Sequence, residues 1–120
     1  MIRIVVGGQI DKDKIAEMIK KLGGDQVEVT VKSDIEAAMA IKTNQADYYV
    51  GACHTGGGGA LAMAIALLGM GLCATVSMPG LMKTEADIVK EIESGKKAFG
   101  FTPQHIDQVV PVIMRKILGQ

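Results

Sequence analysis

Apolar and polar residues follow one another along the chain in blocks whose spacing predicts strands and helices in alternation. Residues 2–6 form a mainly apolar run that ends at a Gly-Gly pair, which is typical of a buried parallel strand. Residues 15–22 place apolar side chains at positions i, i+3, i+4 and i+7 of one helix face, with Asp11 as the expected N-cap and Gly23-Gly24 as the stop. In residues 27–31 valines alternate with polar residues, which predicts a strand with one wet face at an edge of the sheet.

Ser33 and Glu36 mark the start of the next helix, because their S-x-x-E spacing fits a capping box. We expect Ile35, Ala38 and Met39 to point inward from this helix. The remaining strands are predicted at residues 48–52, 72–78 and 98–101, and the remaining helices at 60–68, between Thr84 and Gly95, and from Thr102-Pro103 onward.

The last helix contains Pro111 within its apolar stripe, so we expect a kink or a restart at that residue. In all, strands and helices alternate five times, which favours a parallel sheet covered by helices on both faces. Right-handed crossovers leave few topologies. We therefore predict one α/β domain over residues 1–120, a three-layer sandwich with a five-stranded parallel sheet in the flavodoxin-like or Rossmann-like order 2-1-3-4-5.

The composition excludes several classes of function. Lys plus Arg equals Asp plus Glu at 13 each, and aromatic residues make up 3% of the chain, so neither a basic patch nor base-stacking platforms are expected. The uncharged stretch between Tyr48 and Met82 is divided by glycines and Pro79, which does not fit a membrane-spanning helix. The apolar run at the N-terminus is too short for a signal peptide. With two cysteines and no disulfide framework, we expect a cytoplasmic protein with no nucleic-acid or membrane partner.

Glycine-rich corners follow the first and third strands. Ligands of such folds bind beyond the carboxyl ends of the strands where the order reverses, which here lies between those two strands. The ligand-binding residues predicted there are Gly7, Gly8, Thr55, Gly56, Gly57, Gly58 and Gly59. Four consecutive glycines before a helix are locally unfavourable but would expose backbone N–H groups to an anion, so we expect a small phosphorylated or carboxylated metabolite. Alternatively, these glycines serve only a tight turn and close packing.

Cys53 and His54 are the candidate catalytic residues. A cysteine at a strand end facing a helix N-terminus is favoured as thiolate and could act as a nucleophile or base; alternatively, Cys53 is a small buried hydrophobe. His54 could bind an anion or move protons, or lie solvated in the loop, and His105 is a further candidate for the same crevice. Cys73 is expected to be structural.

No cofactor and no metal are expected from these motifs. Gly51 to Gly56 has P-loop-like spacing, but no lysine follows, and no G-x-G-x-x-G follows the first strand. The two cysteines and two histidines match no zinc pattern.

The predicted helix over residues 60–68 has no polar face, since it consists of alanine, leucine, isoleucine and methionine. A helix that is apolar all round must be covered all round. Because the sheet covers one side, we expect a homo-oligomer with this helix near the interface.

The segments 34–39, 45–56 and 95–100 together resemble the YhfU-like family of small uncharacterised bacterial proteins, nearly end to end. That resemblance implies a bacterial cytoplasmic protein without an assigned activity. Locally, Cys53-x-Thr55-Gly56-x-Gly58 is similar to the cysteine-bearing loop of B-type ribose-5-phosphate isomerases. This second resemblance implies Cys53 as the base of an aldose–ketose isomerisation and the amides of residues 56–59 as oxyanion donors. That family has an Asp-His pair after its first strand, where this chain has Gly7-Gly8-Gln9.

Three functional hypotheses therefore stand. The first is binding of a small anionic metabolite at the glycine turn. The second is an isomerase-type enzyme that uses Cys53. The third is a non-catalytic oligomeric subunit or regulatory module.

Overall fold

The computed structural model describes residues 1–56 and 61–120 and follows the predicted alternation of strands and helices. The strands are β1 (Ile2–Gly8), β2 (Val27–Val31), β3 (Tyr48–Ala52), β4 (Cys73–Thr75), β5 (Ser77–Met78), β6 (Leu81–Met82) and β7 (Ala98–Phe101). The helices are α1 (Lys12–Gly23), α2 (Asp34–Lys42), α3 (Ala62–Leu68), α4 (Glu85–Glu93) and α5 (Ile106–Ile117).

The main sheet contains five parallel strands in the order β2-β1-β3-β7-β4. The α/β class, the parallel sheet and the edge position of β2 are confirmed. The predicted order 2-1-3-4-5 is wrong in its last two places, because the strand at 98–101 lies inside the sheet and the strand at 73–75 lies at its edge. The physical reason is burial: all four residues of β7 are buried, so this strand needs a neighbour on each side.

The predicted strand over residues 72–78 is divided in two. Cys73–Thr75 joins the main sheet, whereas Ser77–Met78 turns away and pairs antiparallel with Leu81–Met82. The turn between these two short strands contains Pro79-Gly80, with Gly80 at φ +73°. A strand of three residues that leaves the sheet so soon is suited to an edge position.

Helices cover both faces of the sheet. On one face α1, α4 and α5 pack on Ile4, Val6, Phe99 and Phe101. On the other face α2 and α3 pack on Val5, Tyr49, Cys73 and Ala98. Within the described part of the chain, no helix is both long and apolar enough to cross a membrane.

Helix α2 begins at the predicted capping box, since the Ser33 hydroxyl accepts from the Glu36 backbone N–H at 3.2 Å. The expectation that Ile35 and Met39 point inward is wrong: their side chains are 54% and 38% exposed. The buried residues of α2 are Ala37, Ala38, Ala40 and Ile41. Three alanines on that face let the helix lie close to the sheet, where Ile41 is also buried.

Two further helix signals differ from expectation. Asp11 occupies the N-cap position of α1, but its backbone is left-handed at φ +55° and its side chain makes no capping hydrogen bond. Pro111 lies inside α5, which runs unbroken from Ile106 to Ile117, so the helix does not restart there, and the alternative expectation of a kink stays a prediction. A 3₁₀ turn at Pro103–His105 precedes that helix.

Candidate functional site

The carboxyl ends of β1 and β3 lie side by side at the point where the strand order reverses. Gly7 pairs with Gly51 and Gly8 with Ala52 in register. The contact continues past β1, because the Gln9 N–H donates to the Ala52 carbonyl at 2.9 Å. The predicted convergence of these two corners is therefore present, and in this fold class it is the expected position of a ligand.

Gly7 and Gly8 have packing roles at this junction. A Cβ at Gly7 would lie 2.7 Å from the Tyr49 ring and 2.9 Å from Ala37. Gly8 has φ +80°, and a Cβ there would lie 2.6 Å from the Ala52 nitrogen. Its N–H already donates to the Tyr49 hydroxyl at 3.0 Å. Packing thus accounts for both glycines, and their contact with a ligand stays a prediction.

Cys53 continues the line of β3 and begins the candidate loop. Its N–H donates to the Phe101 carbonyl at 3.1 Å, and its Sγ lies 3.1 Å from the Thr55 Oγ1. Cys53 is buried, whereas His54 and Thr55 are exposed. The structure therefore brings Cys53 together with Thr55, while His54 is exposed to solvent.

Gly56 closes this turn through its N–H, which donates to the Cys53 carbonyl at 3.1 Å. Its φ is +85°, and a Cβ would overlap the Ser77 carbonyl oxygen, so the turn requires glycine. The predicted ligand-binding residues Gly57, Gly58 and Gly59 lie outside the described residues. Helix α3 begins at Ala62, later than the predicted residue 60. Because it has seven residues, few peptide dipoles add up along its axis.

Asp34 is a site residue that the sequence analysis passed over. It occupies the first turn of α2, and its Oδ1 is buried with no hydrogen-bond partner among the described residues. Burial raises the pKa of Asp34, while the charge of Lys12 and the backbone N–H of Gly8 act in the opposite direction. The sequence feature that could have identified Asp34 is its position immediately after the N-cap Ser33, where a helix starts at the carboxyl edge of a parallel sheet.

Tyr49 joins Asp34 to the strand ends. Burial raises the pKa of Tyr49 far above its usual value, and the negative charge of Asp34 adds to this effect. Both cysteines contribute in the same direction to a smaller extent. Asp34, Gly8, Cys73 and Cys53 therefore lie within electrostatic range of the Tyr49 hydroxyl.

Lys12 supplies a positive charge on the same side. Its Nζ donates to the Lys32 carbonyl at 2.8 Å, just past the end of β2, and its charge acts on Asp34. An anionic group bound at this edge would meet this ammonium.

A second polar group follows β7. Ser77 and Thr102 are 2% and 0% exposed, and their hydroxyl oxygens lie 3.3 Å apart. The Thr102 Oγ1 also lies 2.8 Å from the Nδ1 of His105, which is partly buried. His105 thus lies in the turn that follows the carboxyl end of β7, and its position in the crevice stays a prediction. Ser77 and Thr102 were missed because each is a single hydroxyl residue beside an apolar run.

The opposite edge of the sheet carries a cavity of about 460 Å³ lined by Ile2, Asp47, Tyr48, Ile92, Gly95, Lys96, Lys97 and Ile117. It contains no cysteine or histidine, and Asp47 is paired with Arg3 at 3.1 Å. In residues 1–56 and 61–120, no three His, Cys, Asp or Glu side chains are grouped so that they could hold a metal ion.

Known proteins resemble this chain in sequence and in fold. Uncharacterized protein YhfU of Escherichia coli K12 and that of Shigella flexneri are each 37% identical over 117 residues, which cover 98% of this chain and 99% of theirs. The crystal structure of ribose-5-phosphate isomerase B from Giardia lamblia superposes with a TM-score of 0.72 at 15% identity and covers 97% of this chain and 94% of that one. That likeness concerns the fold alone.

The family model described as "Protein of unknown function DUF2620" matches residues 2–117. The match spans nearly the whole chain and agrees with the end-to-end similarity to the YhfU proteins. The chain therefore belongs to this family of uncharacterised, YhfU-like proteins.

Proposed function

We propose that this protein binds a small anionic metabolite, phosphorylated or carboxylated, at the carboxyl edge of the sheet between β1 and the loop over residues 53–59. One observation carries the proposal. The buried Oδ1 of Asp34, unpartnered within residues 1–56 and 61–120, comes from the first turn of α2 to the side of Gly8 at the end of β1, and the buried Cys53 directly follows Ala52, the residue of β3 that pairs with Gly8.

The chemistry of these groups indicates what the ligand carries. The Asp34 Oδ1, buried and without a partner among the described residues, can accept a hydrogen bond from a hydroxyl group of a ligand. Loop amides and the Lys12 ammonium suit a phosphate or carboxylate. Because α3 is short, the donors to the anion would be the amides of the glycine turn rather than a long helix dipole. A metabolite with both hydroxyl and anionic groups fits this combination.

A thermal-shift series with inorganic phosphate, aldose phosphates and hydroxycarboxylates tests the proposal. A ligand at 100 times its dissociation constant should raise stability by about 2.7 kcal/mol. Gly57→Ala with Gly58→Ala should weaken that effect. Lys12→Ala should weaken it too, whereas Lys97→Ala, which removes the same charge at the amino edge, should not. If no compound raises the melting temperature, or if the glycine variant binds as well as the parent, the proposal is wrong.

A second candidate function is aldose–ketose isomerisation of a sugar phosphate with Cys53 as base. It is supported by the fold likeness to a ribose-5-phosphate isomerase B and by the contact of Cys53 with Thr55 in the similar loop. The Cys53 thiolate would take the proton from the carbon beside the substrate carbonyl and return it to the neighbouring carbon. His54 would move the proton between the two substrate oxygens, and the loop amides would hold the enediolate.

The resemblance departs at the first strand, where Gly7-Gly8-Gln9 replaces an Asp-His pair. Asp34 supports the isomerase candidate here, because it brings a carboxyl beside Gly8 from α2 instead of from β1.

Paired cysteine variants separate binding from catalysis. With ribose 5-phosphate as the substrate, Cys53→Ser should abolish interconversion and keep binding, whereas Cys73→Ser should keep both. Binding without turnover in the parent protein would exclude this isomerisation and leave the first proposal standing. Both cysteines are free and buried, which supports a reducing compartment, the bacterial cytoplasm, as the place of action.

A further inference from the structure

Three polar side chains form a continuous line of hydrogen bonds beside the candidate loop. The Thr102 N–H donates to the Ser77 Oγ at 2.9 Å, and the two hydroxyl oxygens lie 3.3 Å apart. The Thr102 Oγ1 then lies 2.8 Å from the His105 Nδ1.

The protons of this line can be assigned by requiring that each buried donor has an acceptor. If the Ser77 hydroxyl donates to the Thr102 Oγ1, the single Thr102 proton is left for the His105 Nδ1, and every group is satisfied. In the opposite direction His105 donates from Nδ1 and Thr102 donates to Ser77. The buried Ser77 proton then has no acceptor among the described residues, which is costly.

Helix capping does not account for this arrangement. In a capping box the Thr102 hydroxyl would accept the backbone N–H three residues on, and that residue's side chain would reach back to the Thr102 N–H. Here the His105 N–H donates to the Thr102 backbone carbonyl at 3.1 Å, and no side chain of the turn caps it. The Thr102 N–H is already used by Ser77. The Thr102 hydroxyl is therefore left to orient the imidazole.

The line begins directly beneath the glycine turn. The Ser77 carbonyl oxygen occupies the space that a Cβ at Gly56 would need. The Gly56 carbonyl oxygen lies 2.6 Å from the position that a Cβ at Gly100 would take. Thr102 directly follows Phe101, whose carbonyl accepts from the Cys53 N–H. The loop that carries Cys53 and the turn that carries His105 are therefore joined through Ser77 and Thr102.

We infer that Ser77 and Thr102 hold His105 as the neutral Nε2–H tautomer, so that His105 donates a hydrogen bond from Nε2 to the ligand of the candidate site. The contact between His105 and a ligand rests on the proposed function, whereas the assignment of the His105 tautomer does not. In this arrangement Ser77 and Thr102 are positioning residues, and His105 is the group that contacts the ligand.

Nitrogen-15 NMR of the full chain measures the tautomer without any ligand. At mildly alkaline pH, two-bond proton–nitrogen correlations should show His105 with a protonated Nε2 and an unprotonated Nδ1. Thr102→Val should give a mixture of tautomers, and Thr102→Ser, which keeps the hydroxyl, should restore the parent pattern. A His105 protonated at Nδ1 in the parent protein would overturn the inference, whatever the protein binds.

Titration with inorganic phosphate then tests the contact. The His105 resonances should shift together with the amides of residues 53–56. His105→Ala should weaken phosphate binding by about three- to tenfold, the effect of one lost hydrogen bond. His105→Gln, which keeps an N–H donor near the position of Nε2, should stay close to the parent.

The outcomes separate the two proposals. If the loop amides shift while His105 does not, and His105→Ala binds as the parent does, the role of His105 is overturned and the proposed function stands. If phosphate and the other anions of the series bind nowhere, the proposed function and the donor role of His105 both fail.

Discussion

The Tyr49 hydroxyl, which comes from the amino end of β3, accepts a hydrogen bond from the Gly8 N–H at 3.0 Å and so links β3 to the carboxyl end of β1 from within the core. Tyr49 is fully buried, and its ring fills the space that a side chain at position 7 would occupy. Gly7 leaves the space that the Tyr49 ring fills, and Gly8 donates the hydrogen bond that its hydroxyl accepts. These two contacts hold the end of β1 at the carboxyl edge of the sheet.

Removing this hydroxyl should destabilise the protein. Tyr49→Phe removes the hydroxyl that accepts from the buried Gly8 N–H at 3.0 Å, which should cost about 1–3 kcal/mol of unfolding free energy. Urea denaturation followed by circular dichroism measures the change. Tyr48→Phe is the matched control, because Tyr48 is partly exposed and should change stability little. Equal effects of the two substitutions would contradict the role assigned to Tyr49.

Gly7→Ala tests the fit between the glycine and the ring. A methyl group 2.7 Å from the Tyr49 ring and 2.9 Å from Ala37 must displace one of them, which should cost about 1–3 kcal/mol. Gly71→Ala is the control, since a Cβ there meets nothing within 4 Å and should be neutral or slightly stabilising. Thermal denaturation of both variants measures the difference, and a neutral Gly7→Ala would contradict the packing role.

The sequence predicted the local elements because they depend on short-range patterns. The alternating valines of β2 and the Ser33 capping box indicate structure within a few residues of themselves. The exchange of the last two strands was not predictable in this way. It depends on which of two apolar segments is buried on both sides, and β7 and the segment at 73–78 look alike in a single sequence.

Those residues of the candidate site that are close together in sequence could be proposed from the sequence. Cys53 and Gly56 belong to a contiguous motif, and that motif is visible in the sequence. Asp34 and Thr102 are separated from it by many residues, and it is the fold that brings them to the same edge. Their signal was a polar residue within a few positions after a strand at the carboxyl edge of the sheet, which becomes informative once the strand order is known.

Asp34→Asn should raise stability at neutral pH. Because the pKa of Asp34 is raised in the folded protein, its charged form is disfavoured there, and stability is lost as the pH rises through that pKa. Asparagine removes this charge. The advantage of the variant should vanish as the pH falls below 3.8, the ordinary value, where the carboxyl is protonated in both states. Denaturation at a series of pH values measures it, and a less stable variant at neutral pH would contradict the assignment.

Asp47→Asn gives the opposite sign and serves as the comparison. The hydrogen bond from Arg3 lowers the pKa of Asp47, so this group stabilises the fold above 3.8 and loses that effect as the pH falls through its lowered value. The variant should be less stable than the parent at neutral pH and should approach it in acid. The change should be modest, since the two side chains are 38% and 37% exposed and water screens them. Changes of the same sign in both variants would show that the environments of Asp34 and Asp47 do not differ as described.

Self-association through α3 is the remaining prediction. Ala62 and Ala66 are exposed on this helix, which carries no polar side chain, and Ile35 and Met39 are exposed on the neighbouring α2. No Lys, Arg, Asp or Glu occurs between Tyr48 and Met82, so the α3 helices of two copies could meet without like charges of these helices opposing one another. We therefore expect a dimer or larger oligomer in sedimentation velocity at micromolar concentration.

Ala66→Lys should shift the protein to monomer, because it places a charge in the interface. Ala86→Lys makes the same change at an exposed alanine of α4 and should leave the assembly intact. A monomeric parent protein, or dissociation by Ala86→Lys as readily as by Ala66→Lys, would exclude α3 as the interface.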